Sequence, residues 1–213
     1  MVRLVCVIIG YLFGLFQTGY LYGKMQHVDI RKMGSGNAGS TNALRVLGVK
    51  AGAITFFGDF MKCILAIVLV RVLFKGSHSD MLPLLSLYAG IGATLGHNFP
   101  FYLKFKGGKG IAVLAGLLVA TNIWMTLICL IAFVAVVYFT RYISAGSLLV
   151  AFLFALQVII YGAMGVFHLA GNLQLEMDIL AILVMALAWY RHRANIQRLL
   201  TGTENKFSFK KKS

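Results

Sequence analysis

Three short blocks of this chain hold residue types that could do chemistry on an anion. The first is Gly34-Ser35-Gly36-Asn37-Ala38-Gly39-Ser40-Thr41-Asn42-Ala43-Leu44-Arg45, a small and polar run inside a sequence that is 60% hydrophobic. Successive Gly and Ser residues let backbone N–H groups turn toward one point, and the Ser, Thr and Asn side chains add donors. Arg45 offers a planar, bidentate fork for a phosphate, and Leu44–Gly48 reads as a short helix stopped by Gly48. In the second block, Gly96-His97-Asn98-Phe99-Pro100 precedes Lys104-Phe105-Lys106-Gly107-Gly108-Lys109-Gly110. Here a glycine-rich turn enters a helix at Ile111, whose free N–H groups favour a phosphate oxygen, with Lys109 as point charge. The third runs from Arg191 to Glu204; His192 and Asn195, three apart, direct a titratable ring and an amide from one helical face. A fourth, weaker cluster, Arg141 to Ser147, sets the Ser144 hydroxyl near a cation at a helix start.

Several familiar chemistries are excluded. Gly34, Gly36 and Gly39 match G-x-G-x-x-G, and Asp59 lies twenty residues beyond Gly39, but no strand precedes the glycines and no βαβ unit follows. No Ser or Thr follows Lys109, so nucleotide hydrolysis by a Walker loop has no support. Cys6, Cys63 and Cys129 are odd in number, lie in apolar segments and lack metal-ligand spacing. There is no carboxylate cluster for a catalytic cation, so no metal and no organic cofactor is indicated. His97 suits a metal ligand, a proton carrier or a structural hydrogen bond, and no second ligand stands at helical spacing from it.

The elements that must position these blocks are membrane helices. Only 26 residues are charged (Lys+Arg 20, Asp+Glu 6), and apolar stretches cover Leu4–Tyr22, Ala51–Val70, Met81–Leu103, Ile111–Thr140, Ala145–Phe167 and Leu173–Tyr190. The first stretch lacks a clear cleavage pattern and reads as a retained helix. The net charge of +14 does not point to nucleic acid, because the basic residues fall in separated loops; a positive-inside bias explains them. Ile111–Thr140 would be about 45 Å long as one helix, so a break near Thr121-Asn122 is expected. Seven spans result, with the N-terminus outside and the C-terminus inside; a re-entrant pair over residues 111–140 would give the same parity. The inner segments then hold Lys24, Arg31, Lys32, Arg45 and Lys50, then Lys104, Lys106 and Lys109, then Arg141, then Arg191, Arg193, Arg198, Lys206, Lys210, Lys211 and Lys212, sixteen of the twenty basic residues. The expected fold is therefore an all-α, seven-helix integral membrane protein, one polytopic domain over residues 1–213, with its site on cytoplasmic loops. Lys104, Lys106, Arg191, Arg193 and the Lys210–Lys212 tail read as contacts to anionic headgroups. Asp59 and Lys62, one turn apart in an apolar span, read as a structural pair. A transporter of phosphorylated molecules would show inverted repeats with broken helices, and no such repeat is found.

Taken in order, Gly-Ser-Gly-Asn-Ala-Gly-Ser-Thr-Asn…Arg, Gly-His-x-x-Pro…Lys-Gly-Gly-Lys-Gly and His-x-x-Asn-Ile-x-Arg-Leu-x-x-Gly-Thr-Glu resemble the motifs of the bacterial acyl-phosphate:glycerol-3-phosphate acyltransferase (PlsY) family over essentially the whole chain. The resemblance implies a multi-pass enzyme of the bacterial inner or plasma membrane that moves a fatty acyl group from acyl phosphate to the 1-hydroxyl of glycerol 3-phosphate, giving lysophosphatidic acid and phosphate. It assigns catalytic roles to Ser35, Arg45, Lys109, His192 and Asn195. By motif position it gives substrate binding to Gly34, Gly36, Asn37, Gly39, Asn42, His97, Gly107, Gly108, Gly110, Ser144 and Glu204, the last with bracing of its loop as the alternative role. Two phosphorylated substrates and surrounding membrane lipids are implied. A soluble acyl-phosphate-producing enzyme is a candidate partner for the basic face.

Overall fold

A computed structural model describes residues 1–207, and among these it contains helices and no strand. The Lys210–Lys212 tail lies outside the described residues. In chain order the α-helices are α1 (Val2–Gly14), α2 (Thr18–Met25), α3 (Ser40–Leu47), α4 (Val49–Phe74), α5 (Leu82–Asn98), α6 (Ile111–Thr121), α7 (Ile123–Thr140), α8 (Ile143–Ala163), α9 (Gly171–Arg191) and α10 (Arg193–Leu200). Five segments are long and apolar enough to cross a membrane: Val2–Met25 taken through its break, α4, α7, α8 and α9. With 17 and 11 residues, α5 and α6 are shorter, about 26 and 16 Å at 1.5 Å per residue.

Two apolar stretches are interrupted, and each gap is filled by a polar side chain. The expected break in Ile111–Thr140 falls at Asn122, whose Oδ1 accepts the N–H groups of Trp124 (2.8 Å) and Met125 (3.2 Å) and so caps α7. Near the end of α6, the Ala120 carbonyl accepts from the Arg71 guanidinium at 2.5 Å, and Arg71 Nε donates to Ser86 Oγ at 2.9 Å. In an apolar setting such partners are required for any helix carbonyl freed by a break. The first stretch, expected as one continuous helix, breaks between Gly14 and Thr18. There the Gln17 amide donates to the carbonyls of Gly14 (3.1 Å), Gly96 (3.2 Å) and His97 (3.1 Å).

Short as it is, α5 is the centre of the bundle, packed by α1, α4, α6 and α9. It meets α1 along a seam of small residues. A Cβ on Gly10 would stand 2.0 Å from the Ala89 carbonyl oxygen, and one on Gly96 would stand 2.2 Å from that of Tyr11. Backbones this close gain packing that larger side chains would forbid. Leu84, Leu87, Val113, Leu117, Phe154 and Val158 fill the core. Ile131, Tyr138 and Phe139 of α7 face outward, as befits a surface bathed in lipid. At one end of the bundle Arg3 pairs with Glu176 at 2.6 Å, joining the starts of α1 and α9. The segments following α2, α5 and α9 meet at the opposite end, around a single cavity.

Candidate active site

The first loop is folded by its own neighbour. Asn42, in the first turn of α3, donates to the carbonyls of Ile30 (2.8 Å), Met33 (3.1 Å) and Asn37 (2.9 Å), and its Oδ1 accepts the Ser35 N–H at 2.8 Å. Gly34 adopts a φ of +60°, and a Cβ there would come 2.3 Å from Asn42 Oδ1, so both the dihedral and the contact require glycine. Asn37 Oδ1 accepts the Gly39 N–H at 3.0 Å, and the hydroxyl-bearing Ser35 is left exposed on the cavity wall with Gly36 and Asn37. Asp29 caps the turn before the loop and pairs with Arg31, which keeps its carboxyl below the usual range. Arg31 in turn lies 4.5 Å over the Tyr20 ring.

The second loop is held from two sides by distant elements. Gly107 and Gly108 donate their N–H groups to the carbonyls of Asn98 (3.2 Å) and His97 (3.1 Å) at the end of α5. Their own carbonyls accept from Arg191 at the end of α9, at 3.1 Å for Gly107 and 2.8 Å for Gly108. That guanidinium also stacks on Phe99 at 5.1 Å. Gly110, with φ +85°, turns the chain into α6. Lys109 reaches across to donate to Asn195 Oδ1. Burial, followed by the charges of Arg198, Arg191 and Arg45, outweighs the pull of Glu204 and lowers the Lys109 ammonium to about 8.

The third block closes the site. Glu204 accepts from Ser144 (2.9 Å), Asn195 (2.8 Å) and Arg198 (2.7 Å), tying the segment after α10 to α8 and fixing the Asn195 amide so that its oxygen faces Lys109. Burial alone would raise the Glu204 carboxyl, but these hydrogen bonds hold it below its ordinary value. His192 stands at the junction of α9 and α10, 4% exposed, with Nδ1 at 2.8 Å from the Ala188 carbonyl. A carbonyl can only accept, so Nδ1 carries the proton and Nε2 keeps its lone pair. Burial and the nearby Lys109 charge push the ring down to about 4, so it is neutral near pH 7.

These parts surround a cavity of about 630 Å³. Its wall carries Arg31 and Lys32 from the first loop, Lys104, Lys106 and Lys109 from the second, and Arg191 and Arg198 from the C-terminal block. Asp29 is the acid on that wall, and Arg31 neutralises it. A strongly cationic recess of this size can hold two phosphate groups.

Of the residues singled out in the sequence, Ser35, Gly36, Asn37, Gly107, Lys109 and Asn195 line the cavity. His192, Ser144 and Glu204 stand behind Lys109 and Asn195, while Gly34, Gly39, Asn42, Gly108 and Gly110 shape the loops. Arg45 is exposed on α3 and off the cavity wall, near enough for its charge to act on Lys109. His97 is buried beneath the second loop, bonded to Lys62. Arg191 differs from its reading as a lipid contact, because its guanidinium is spent on the glycine carbonyls. Lys104 and Lys106 are likewise on the cavity wall. The wall residue Arg198 stands in the His-x-x-Asn-Ile-x-Arg motif but is given no role there, while Tyr20 on α2, Arg31 and Tyr102 carry no signal in the sequence, being an ordinary mix of basic and aromatic residues.

A family model described as glycerol-3-phosphate acyltransferase matches residues 4–202. The glycerol-3-phosphate acyltransferase of Clostridioides difficile is 40% identical over 98% of this chain and 97% of its own, and that of Alkaliphilus metalliredigens is 38% identical over 99% and 98%. Among solved structures, PlsY, an integral membrane glycerol 3-phosphate acyltransferase, superimposes in its glycerol 3-phosphate form with a TM-score of 0.82 at 33% identity, over 97% of this chain and 96% of that one. Its lysophosphatidic acid form gives a TM-score of 0.79 at 32% identity. With a match along nearly its whole length, in both sequence and fold, this chain belongs to the glycerol-3-phosphate acyltransferase family.

Proposed function

We propose that this protein transfers a fatty acyl group from an acyl phosphate to the 1-hydroxyl of glycerol 3-phosphate, at the cytoplasmic face of a bacterial membrane it crosses seven times. The observation that carries this reading is the convergence of seven cationic side chains from three separate segments on one cavity whose acid, Asp29, is already paired. Both substrates are phosphorylated, and a site for two anions needs such a surplus. The donor also carries an alkyl chain. Between α5 and α9 runs an apolar cleft of about 140 Å³, lined by Ile91, Leu95, Leu180, Leu183, Val184 and Leu187, with Thr94 in its wall. The Thr94 methyl lies 3.1 Å from where a Cβ on Gly110 would stand, which brings the cleft up to the second loop.

In the proposed step the 1-hydroxyl oxygen attacks the acyl carbonyl carbon, and the bond from that carbon to the phosphate oxygen breaks. Phosphate is a good leaving group, so no covalent enzyme intermediate is needed. Ser35 and the backbone at Gly36 hold the acyl phosphate; Arg45 and Lys109 offset charge on the phosphates. Asn195, with His192 behind it, positions glycerol 3-phosphate. The hydroxyl proton passes to a phosphate oxygen of the donor, with the neutral His192 as the protein alternative. Seven crossings with the C-terminus inside keep sixteen of twenty basic residues on the cytoplasmic side.

The test is phosphate release and lysophosphatidic acid formation by purified wild type and Ser35→Ala, given palmitoyl phosphate or palmitoyl-CoA beside glycerol 3-phosphate. Turnover with the acyl phosphate alone, lost in the variant, is expected. Equal turnover with the thioester would overturn the donor assignment.

A further inference from the structure

An ionic group that the acyl-transfer step leaves unused lies beneath the second loop. Asp59 and Lys62, on α4, are 1% and 4% exposed and pair at 2.8 Å. A lysine ammonium has three donors, and here each has an acceptor: Asp59 Oδ1, the Phe16 carbonyl at 2.7 Å in the break between α1 and α2, and His97 Nδ1 at 2.9 Å. Thr18 adds its hydroxyl to Asp59 at 3.3 Å. An ammonium cannot accept, so Nδ1 of His97 does, and its ring is neutral with the proton on Nε2. That fixes both tautomer and ring orientation. The Nε2 edge is turned to the second loop, where a Cβ on Gly108 would stand 2.0 Å from it. The His97 carbonyl takes the Gly108 N–H, and a Cβ on Gly107 would stand 2.0 Å from that same oxygen. A buried ion pair is a poor source of stability against an apolar replacement, and charges inside an apolar span usually have a further job.

We propose that Asp59, Lys62 and His97 are positioning residues for the acyl transfer argued above, on which this inference rests. Lys62 locks the His97 ring, and the ring and its carbonyl set the height of the Gly107–Lys109 loop so that Lys109 meets Asn195. Arg191 grips the loop carbonyls from the opposite side, so the loop is clamped between α5 and α9. The group touches no substrate and acts through Lys109.

His97→Asn separates this role from simple satisfaction of Lys62. An asparagine oxygen can take the place of Nδ1 as the third acceptor, but the ring edge under Gly108 is gone. In full-length protein the expected result is an unchanged thermal midpoint, a KM for glycerol 3-phosphate raised about tenfold and a kcat within about threefold of wild type, the pattern of weakened binding without lost chemistry. Lys62→Met, or Asp59→Asn with Lys62→Met if the single variant does not fold, is expected to raise the same KM. Nitrogen-15 shifts of His97 in the wild type should show a protonated Nε2 and an unprotonated Nδ1. A wild-type KM in folded His97→Asn, or a protonated Nδ1, would overturn the proposal while leaving the acyltransferase reading intact. A wild type without acyl transfer would bring down that reading and this inference together.

Discussion

The two loops that face each other across the cavity are built in opposite ways. Around Ser35, one amide side chain organises the turn through four hydrogen bonds, all to residues within twelve positions of Asn42. Around Lys109, the partners are His97 and Asn98 on α5, Arg191 at the end of α9 and Asn195 on α10, more than eighty residues away for the last two. The local loop presents an exposed hydroxyl; the assembled loop presents a half-buried ammonium whose protonation depends on its surroundings. A binding hydroxyl tolerates a self-contained turn. A charge that, in the proposed reaction, meets a phosphate at a set height gains from being held by the bundle itself.

Asn42→Ala breaks the local loop at the side chain that makes four of its hydrogen bonds. The Asn37 carbonyl and the Ser35 N–H lose their partner, at a cost of about 1–3 kcal/mol for each if it stays buried, while the Ile30 and Met33 carbonyls keep the N–H groups of Met33 and Gly36. Acyl transfer is expected to fall about a hundredfold through misplacement of Ser35, with the thermal midpoint little lower, because α3 and α4 keep their packing. Wild-type turnover would show that substrate, and not Asn42, orders this loop.

The assembled loop should respond more gently to loss of one of its two holds. Arg191→Lys keeps a charge, but an ammonium cannot bridge both glycine carbonyls and stack on Phe99. A rise of about tenfold in KM for glycerol 3-phosphate is expected, and an unchanged KM would mean that α5 alone holds the loop.

The smallest effect is one of pH, and it sharpens the electrostatic half of the contrast. Lys109 acts as a cation, and with its ammonium lowered to about 8 it loses that charge as pH rises through 8. The kcat/KM for glycerol 3-phosphate should therefore be about halved at pH 8 and go on falling above it. Arg198→Gln removes a neighbouring positive charge, favours the protonated form and should move this fall to higher pH. His192, at about 4, stays neutral from pH 6 upward and adds no acid limb in that range. A profile flat to pH 9.5 would break the assignment of Lys109 as the responding group.

Much of this protein was legible from residue order. The apolar stretches gave the helices, the 30-residue length of Ile111–Thr140 called for the break that Asn122 makes, and the small polar run at Ser35 announced a turn that its own Asn42 folds. These follow from hydropathy, helix length and short-range hydrogen bonding, which need only near neighbours. Three features depended on the assembled bundle. The break at Gln17 draws on the Gly96 and His97 carbonyls of α5; Arg191, adjacent to the His-x-x-Asn block, serves the glycine loop and not the lipid; and the Asp59–Lys62 pair extends to His97. Each joins groups at least 35 positions apart, through contacts that exist only once α1, α4, α5 and α9 have packed. The sequence by itself therefore determined which segments are helices and which blocks come together at the candidate site. The tertiary structure decided which cations face the cavity and how each is held, because the direction of a long charged side chain is set by the acceptors packing brings within its reach.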